Sequence, residues 1–141
     1  MPVIGCSIKS IIAERKKLIE DRIDINSAPK IISVEEKEIE LVDKQPTFSI
    51  GFEFESSYNP DIGKIKFIGE LLYATKNWKD MIKAWKKDGK LAEDVDREIK
   101  NFLFKKCLTL GINLSEELGL PPPVVFPVIP PRKEEQPKYI G

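Results

Sequence analysis

Six lysines, Lys76, Lys79, Lys83, Lys86, Lys87 and Lys90, crowd one short segment together with Trp78 and Trp85. Lys79, Lys83, Lys86 and Lys90 recur at helical spacing, so they line one side of a helix. Such a stripe could lie along RNA phosphates, where each ammonium displaces a counterion. No aromatic RNA-binding motif accompanies it. A solvated outer face, opposite a Trp78, Met81, Ile82 and Trp85 stripe at i, i+3, i+4 and i+7, accounts for the same lysines more simply. An RNA or ribosome interface through Lys79, Lys83, Lys86, Lys87 and Lys90 therefore stands as the second reading of function.

Other chemistry finds less to build on. The chain has no histidine, so it offers no Ser-His or Cys-His nucleophile pair. Two cysteines cannot form a Cys-rich zinc site. Carboxylates are plentiful, but no loop has calcium-ligand spacing, and Asn59-Pro60-Asp61 is too short for one. Glu53 and Glu55 share one strand face, as an acid/base pair would. That face alternates with an apolar one, and a solvated surface is the better reading. No glycine-rich phosphate cradle of either common pattern is present. Cys107 falls within an apolar helix, where a thiol is held protonated and unreactive. The expectation is a protein that is not an enzyme, with no catalytic residue, no metal site and no cofactor.

Composition sets the outer limits. The chain has 141 residues, enough for one core. Lys+Arg and Asp+Glu each total 23, so the formal charge is zero. That argues against general attraction to nucleic acid or anionic membrane, while leaving room for a local basic patch. Hydrophobic residues make up 41% and charged residues 33%, ordinary values for a globular protein. The Lys, Ile and Glu bias fits a thermophile, and a low-GC genome produces part of the same bias. Met1-Pro2-Val3-Ile4-Gly5-Cys6 has no basic segment leading into a long apolar one, and no window holds the ~20 apolar residues that a bilayer needs. The reading is a soluble, cytoplasmic protein with no membrane partner. Cys6 and Cys107 read as two reduced, buried thiols, with a disulfide between them left open.

The elements that must position these residues follow from periodicity. Phe48, Ile50, Phe52 and Phe54 alternate with Ser49, Gly51, Glu53 and Glu55, which predicts a half-buried strand over 47–55. Ser56 to Gly63 reads as a connecting loop. Residues 64–74 return as an antiparallel strand with Ile65, Phe67, Leu71 and Tyr73 inward. Gly69, on the same face, leaves room for a large neighbour. Upstream, Asn26-Ser27-Ala28-Pro29 reads as a turn. Residues 30–42 form a strand with Ile32 and Val34 on one face and Ile39 and Leu41 on the other, which calls for a bulge near Glu35-Glu36-Lys37. Asp43 to Pro46 is the next turn. Residues 7–23 suit helix or strand. Downstream, Asn77 caps a helix that Gly89 ends. A longer helix runs from about Ala92 to Leu110 and is stopped by Gly111. Asn113 with Glu116 caps one more turn.

After the long helix come Leu118-Gly-Leu-Pro-Pro-Pro-Val-Val-Phe126-Pro and then Val128-Ile-Pro-Pro131. A proline-stiffened apolar strap cannot add hydrogen-bonded strands. Together with Phe102, Leu103, Phe104, Leu108 and Leu110 it is a surplus of apolar side chains. The strap packs over the chain's own core or an oligomer interface, or part of this surface accepts a client.

Strands first, helices last and a strap make this α+β, an antiparallel sheet of about four strands followed by two C-terminal helices. A single domain over 1–131 and a loose, charged tail over 132–141 are expected. In this layout the Asn101-Phe102-Leu103-Phe104 segment and the Leu-Gly-Leu-Pro-Pro-Pro-Val-Val-Phe-Pro strap resemble the SecB protein-export chaperones and their wider fold family. Asn101, Leu103, Phe104, Leu120, Pro121, Pro123 and Phe126 occupy places comparable to the family's. The resemblance covers residues 3–130 in outline and 99–127 in its specific part. It favours a strand, not a helix, over 3–15. It departs from the family in the neutral net charge, where the family has an acidic sheet surface, and in the lysine-bearing Trp78–Trp85 helix. What it implies is an ATP-independent holdase for non-native polypeptides, or a module for one fixed protein partner, assembled as a homo-oligomer. Phe48, Phe52, Phe54, Phe102, Phe104 and Phe126 are the candidate polypeptide contacts.

Overall fold

A computed structural model describes residues 3–19, 22–40, 46–124, 127, 129 and 130. Four strands come first: β1 (Val3–Arg15), β2 (Asp24–Glu40), β3 (Pro46–Asn59) and β4 (Gly63–Tyr73). Two helices follow, α1 (Trp78–Asp88) and α2 (Glu93–Leu118). The strands form one antiparallel sheet in the order β1-β4-β3-β2, which leaves β1 and β2 at its edges. The α+β architecture expected from the sequence is present, and 3–15 is a strand.

The inner face of the sheet is built by alternation. Phe48, Ile50, Phe52, Phe54 and Tyr58 of β3 and Ile65, Phe67, Leu71 and Tyr73 of β4 are fully or almost fully buried. Gly69 lies in this row opposite Phe52. A Cβ there would run into the Ser7 carbonyl and come within 3.1 Å of the Phe52 ring. The large neighbour expected at Gly69 is therefore real, and it includes the backbone of β1, which bulges between Ile8 and Ser10.

Helix α2 covers this face. Its buried residues are Val95, Ile99, Leu103, Cys107, Gly111 and Ser115, each four positions after the last. A helix turns once in 3.6 residues, so a strict four-residue spacing winds the buried stripe around the helix by ~40° at each step. Its N-terminal half is buried by the sheet. Near its C-terminal end the cover includes Pro123, whose Cγ would lie 3.2 Å from a Cβ at Gly111. Gly111 does not stop the helix as the sequence suggested. The helix runs straight through to Gly119, whose left-handed φ of 68° ends it, and Asn113 and Glu116 belong to the same helix, not to a separate turn. A glycine inside a helix is unfavourable by itself, but here its missing side chain is where the strap packs.

Other expectations need correction. Asn26-Ser27-Ala28-Pro29 is not a turn but part of β2, with Pro29 opposite Phe54. An edge strand has a partner on one side only, so it tolerates a residue with no N–H. The shift expected near Glu35 to Lys37 is present at the end of that stretch, and another precedes it. Register shifts fall at Ile31/Ser33 and Lys37/Glu40, so Ile31 and Val34 turn inward while Ile32 is 48% exposed. The side chains of 38–40 and the residues 41–45, where Leu41 and most of the Asp43–Pro46 turn fall, lie outside the described set. The loop read at Ser56–Gly63 is shorter, because β3 continues to Asn59 and β4 begins at Gly63. Asn77 precedes α1 but makes no side-chain cap. Gly89 ends α1 as expected, with φ 65° and its N–H on the Trp85 carbonyl at 2.8 Å. The last turn of α2 has no basic residue. Arg15 of β1 supplies one from outside, its guanidinium 3.1 Å from where a Gly119 Cβ would be, beside the negative end of the helix dipole.

Candidate functional site

The six candidate phenylalanines separate into distinct environments. Phe48, Phe52 and Phe54 are fully buried beneath the helices. Phe48 meets Trp78 of α1, ring centroids 6.1 Å apart. Phe54 meets Phe104 of α2 edge-on at 5.5 Å and 88°, a geometry that aromatic quadrupoles favour. Phe102 and Phe104 are half-buried and, two residues apart, lie on opposite flanks of α2. Phe126 lies outside the described residues. Sequence periodicity thus brings five of the six to one layer, but as core on one side and partly open surface on the other.

The Phe102 flank opens into a groove of about 640 Å³. Val3 of β1 with Phe102 and Leu110 of α2 supply its apolar wall, and Glu98, Asn101, Lys105, Lys106 and Thr109 its polar lining. Glu98, Phe102, Lys105 and Thr109 are spaced i, i+4, i+7 and i+11, so they follow one side of the helix. The groove runs beside the helix axis from Glu98 to Leu110, ~18 Å at 1.5 Å per residue, a length that five or six extended residues span at ~3.3 Å each.

The charges around it are fixed at one end. The Tyr73 hydroxyl donates to Glu98 Oε2 at 2.9 Å. Burial, then the bond to Glu98, holds the Tyr73 hydroxyl well above the usual phenol range. The carboxylate is thereby anchored to the sheet. At the other end, the Thr109 hydroxyl turns back to the Lys105 carbonyl at 2.6 Å. The described ion pairs use Lys9, Lys16, Lys66 and Lys100. Among the described residues neither Lys105 nor Lys106 has a carboxylate partner.

Sequence reasoning did not join Lys105 and Lys106 to Val3. The signal was the i, i+4, i+7 recurrence of Glu98, Phe102 and Lys105. What it lacked was the other wall, which comes from the far end of the chain through the β1–β4 pairing.

The other candidate residues lie on the outer sheet face and on or just after α1. Glu53 pairs with Lys66, and Glu55 accepts a hydrogen bond from Ser57 at 2.8 Å. Glu70 is held below the usual carboxylate range by the Ser49 hydroxyl first and by Lys9 second. These groups make a charge-paired outer sheet face. Lys79, Lys83, Lys86, Lys87 and Lys90 are all exposed on or just after α1, with the Lys79 ammonium 5.6 Å from the Trp78 ring centroid. They form the solvent side of an amphipathic helix whose Met81 is buried. Among the described residues no cluster of three or more His, Cys, Asp or Glu could hold a metal ion. No described helix is long and apolar enough to cross a membrane. Cys6 is half-buried, Cys107 is buried, and both are free thiols.

An antiparallel β1-β4-β3-β2 sheet, crossed on one face by a long helix that a proline strap then abuts, is the SecB-like fold. In fold the chain is similar to the Mycobacterium tuberculosis Rv1957 SecB-like chaperone, solved in complex with a ChAD peptide from the Rv1956 HigA1 antitoxin. The two share 10% sequence identity over 91% of this chain and 88% of that one, with a TM-score of 0.52. No family model and no curated protein sequence matches the chain.

Proposed function

We propose that this protein is an ATP-independent, SecB-like binding module that holds extended segments of non-native polypeptides, or of one fixed protein partner, in the groove between β1 and α2. The observation that carries the reading is the groove itself. The inner sheet face is otherwise filled by side chains of the same chain, while Phe102, Leu110 and Val3 are left lining an open channel. The similarity in fold to a chaperone that binds a peptide supports the same reading. Apolar burial would supply the affinity, roughly 25 cal/mol per Å² before ordering costs. No nucleotide or cofactor is required for binding of this kind.

The reading includes assembly of like subunits. Strand β1 is a long edge that exposes Ile4, Ile11 and Ile12. An unpaired apolar edge of this length invites a second strand.

The test is suppression of aggregation. A chemically unfolded client is diluted with and without this protein at low and high salt, and light scattering is followed. Suppression near stoichiometric ratio that persists at high salt supports the groove. Absence of suppression at both salts sinks it, and steep loss of binding with salt points instead to the lysine face of α1.

A further inference from the structure

Resting on that reading of the groove, we propose that it selects by charge as well as by apolarity: it prefers extended polypeptide segments that carry an acidic side chain beside an apolar one, the carboxylate meeting Lys105 and Lys106. Three features of the groove lead there. First, its charged groups are segregated along α2. Glu98 stands at one end, and the two lysines follow seven and eight positions later, ~10–12 Å along the axis. That separation is about three residues of an extended segment, so the apolar wall at Phe102 lies between the two poles.

Second, the two poles differ in how far they are already satisfied. Glu98 accepts the Tyr73 hydroxyl at 2.9 Å, so a bound segment that lacks a cation does not strand it. Lys105 and Lys106 have no carboxylate partner among the described residues. Lys106 is moreover half-buried and close enough to Cys6 and Cys107 for its positive charge to act on both thiols.

Third, occupation changes the solvent. An apolar segment laid over Phe102 and Leu110 removes water from the neighbouring ammonium groups. Desolvating a cation without a counter-charge is unfavourable, and a carboxylate brought in with the ligand offsets that loss by a charge-assisted hydrogen bond. A segment carrying lysine at the same place would meet like charge as well as lost hydration. The preference is therefore produced by binding and does not require strong long-range attraction, in keeping with the zero net charge.

The experiment uses three fluorescent peptides with the same apolar core, flanked by aspartates, serines or lysines, and reads anisotropy against the full chain. The acidic peptide should bind about tenfold more tightly than the basic one, the range of one hydrogen bond to a charged group. The double variant Lys105→Glu, Lys106→Glu should reverse the order, and Lys105→Gln, Lys106→Gln should level it. Both sites are on the helix surface, and circular dichroism checks that the fold is kept. Equal binding of all three peptides, weakened alike by Phe102→Ala, overturns the charge preference and leaves the groove reading standing. No binding of any peptide, with Phe102→Ala indistinguishable from the parent, overturns both. A change of oligomeric state in the lysine variants with no change in peptide preference also overturns the proposal, because the occupant is then a second copy.

Discussion

The Tyr58 hydroxyl donates to the Pro121 carbonyl at 2.7 Å. Tyr58 stands near the end of β3 and Pro121 just past the C-terminal cap of α2, so one bond ties the start of the strap to the sheet. A proline-rich segment has few N–H groups with which to hold itself in place. It is held here through its carbonyl and by apolar contacts at Leu120 and Pro123. Tyr58→Phe keeps the ring in the core and removes the donor. It should lower stability by about 1 kcal/mol in urea unfolding and increase protease cleavage within 121–130. Unchanged cleavage would mean that the strap is held without the hydroxyl.

Gly69 and Gly111 make a controlled pair. At Gly69 a Cβ meets a backbone carbonyl of the next strand, which cannot move alone. Gly69→Ala should therefore destabilise by roughly 3 kcal/mol or more. At Gly111 a Cβ meets one carbon of Pro123 at 3.2 Å, in an irregular segment that can shift, and alanine also favours the helix by ~1 kcal/mol. Gly111→Ala should change stability by less than ~1 kcal/mol. Denaturant midpoints of the two variants decide whether the strand contact or the strap contact is the stricter.

Stability should fall at alkaline pH. Burial pushes the Cys107 thiol up to about 12, with the nearby Cys6 adding to the rise, and pushes the Tyr58 hydroxyl up to about 12. Tyr73 shifts in the same direction, by burial and by Glu98. Each group holds its proton more tightly when folded than when unfolded. The stabilisation is thus complete below the unfolded thiol value of 9.0 and is lost as pH rises from there toward 12. Thermal melts from pH 8 to 11.5 should show a steady decline above about 9, and Tyr58→Phe should flatten its upper part. A thiol reagent at pH 8 should leave Cys107 untouched until the chain is unfolded in urea.

Phe102 and Phe54 should separate function from folding. Phe54→Ala empties a fully buried site and should cost about 3–5 kcal/mol. Phe102→Ala removes a half-buried groove wall and should leave the melting temperature within a few degrees, yet weaken suppression of client aggregation several-fold. Equal loss of stability in both variants would show that Phe102 is core and not contact surface.

What could be read from the sequence was local. The alternation of Phe48 to Phe54 with small and charged residues identifies β3 and its inward face without reference to anything else. The cap at Gly89 is equally self-contained. Features set by distant contacts were misread. Gly111 looks like a stop until Pro123 is placed beside it, and Pro29 looks like a turn until β2 is known to be an edge. The groove is the extreme case, because Phe102 and Lys106 acquire Val3 as a neighbour only when β1 crosses 48 to 70 residues of sequence to pair with β4. The resemblance carried by Asn101 to Phe126 reached the fold correctly, while nothing in it separates phenylalanines of the interior from one that lines the groove.

That crossing has a consequence for how the molecule comes into being. The β2-β3-β4 meander is made of sequence neighbours, whereas β1 pairs Val3 with Tyr73 and Arg15 with Gly63 and closes a long loop to do so. Loop-closure entropy places such a strand late in folding. Substitutions in β1 should accordingly speed unfolding while hardly slowing refolding, and those at the β3–β4 contact should do the reverse. Until β1 arrives, the β4 edge stands open beside Phe67 and Leu71. A freshly made copy then presents the very kind of surface that its finished form is proposed to hold.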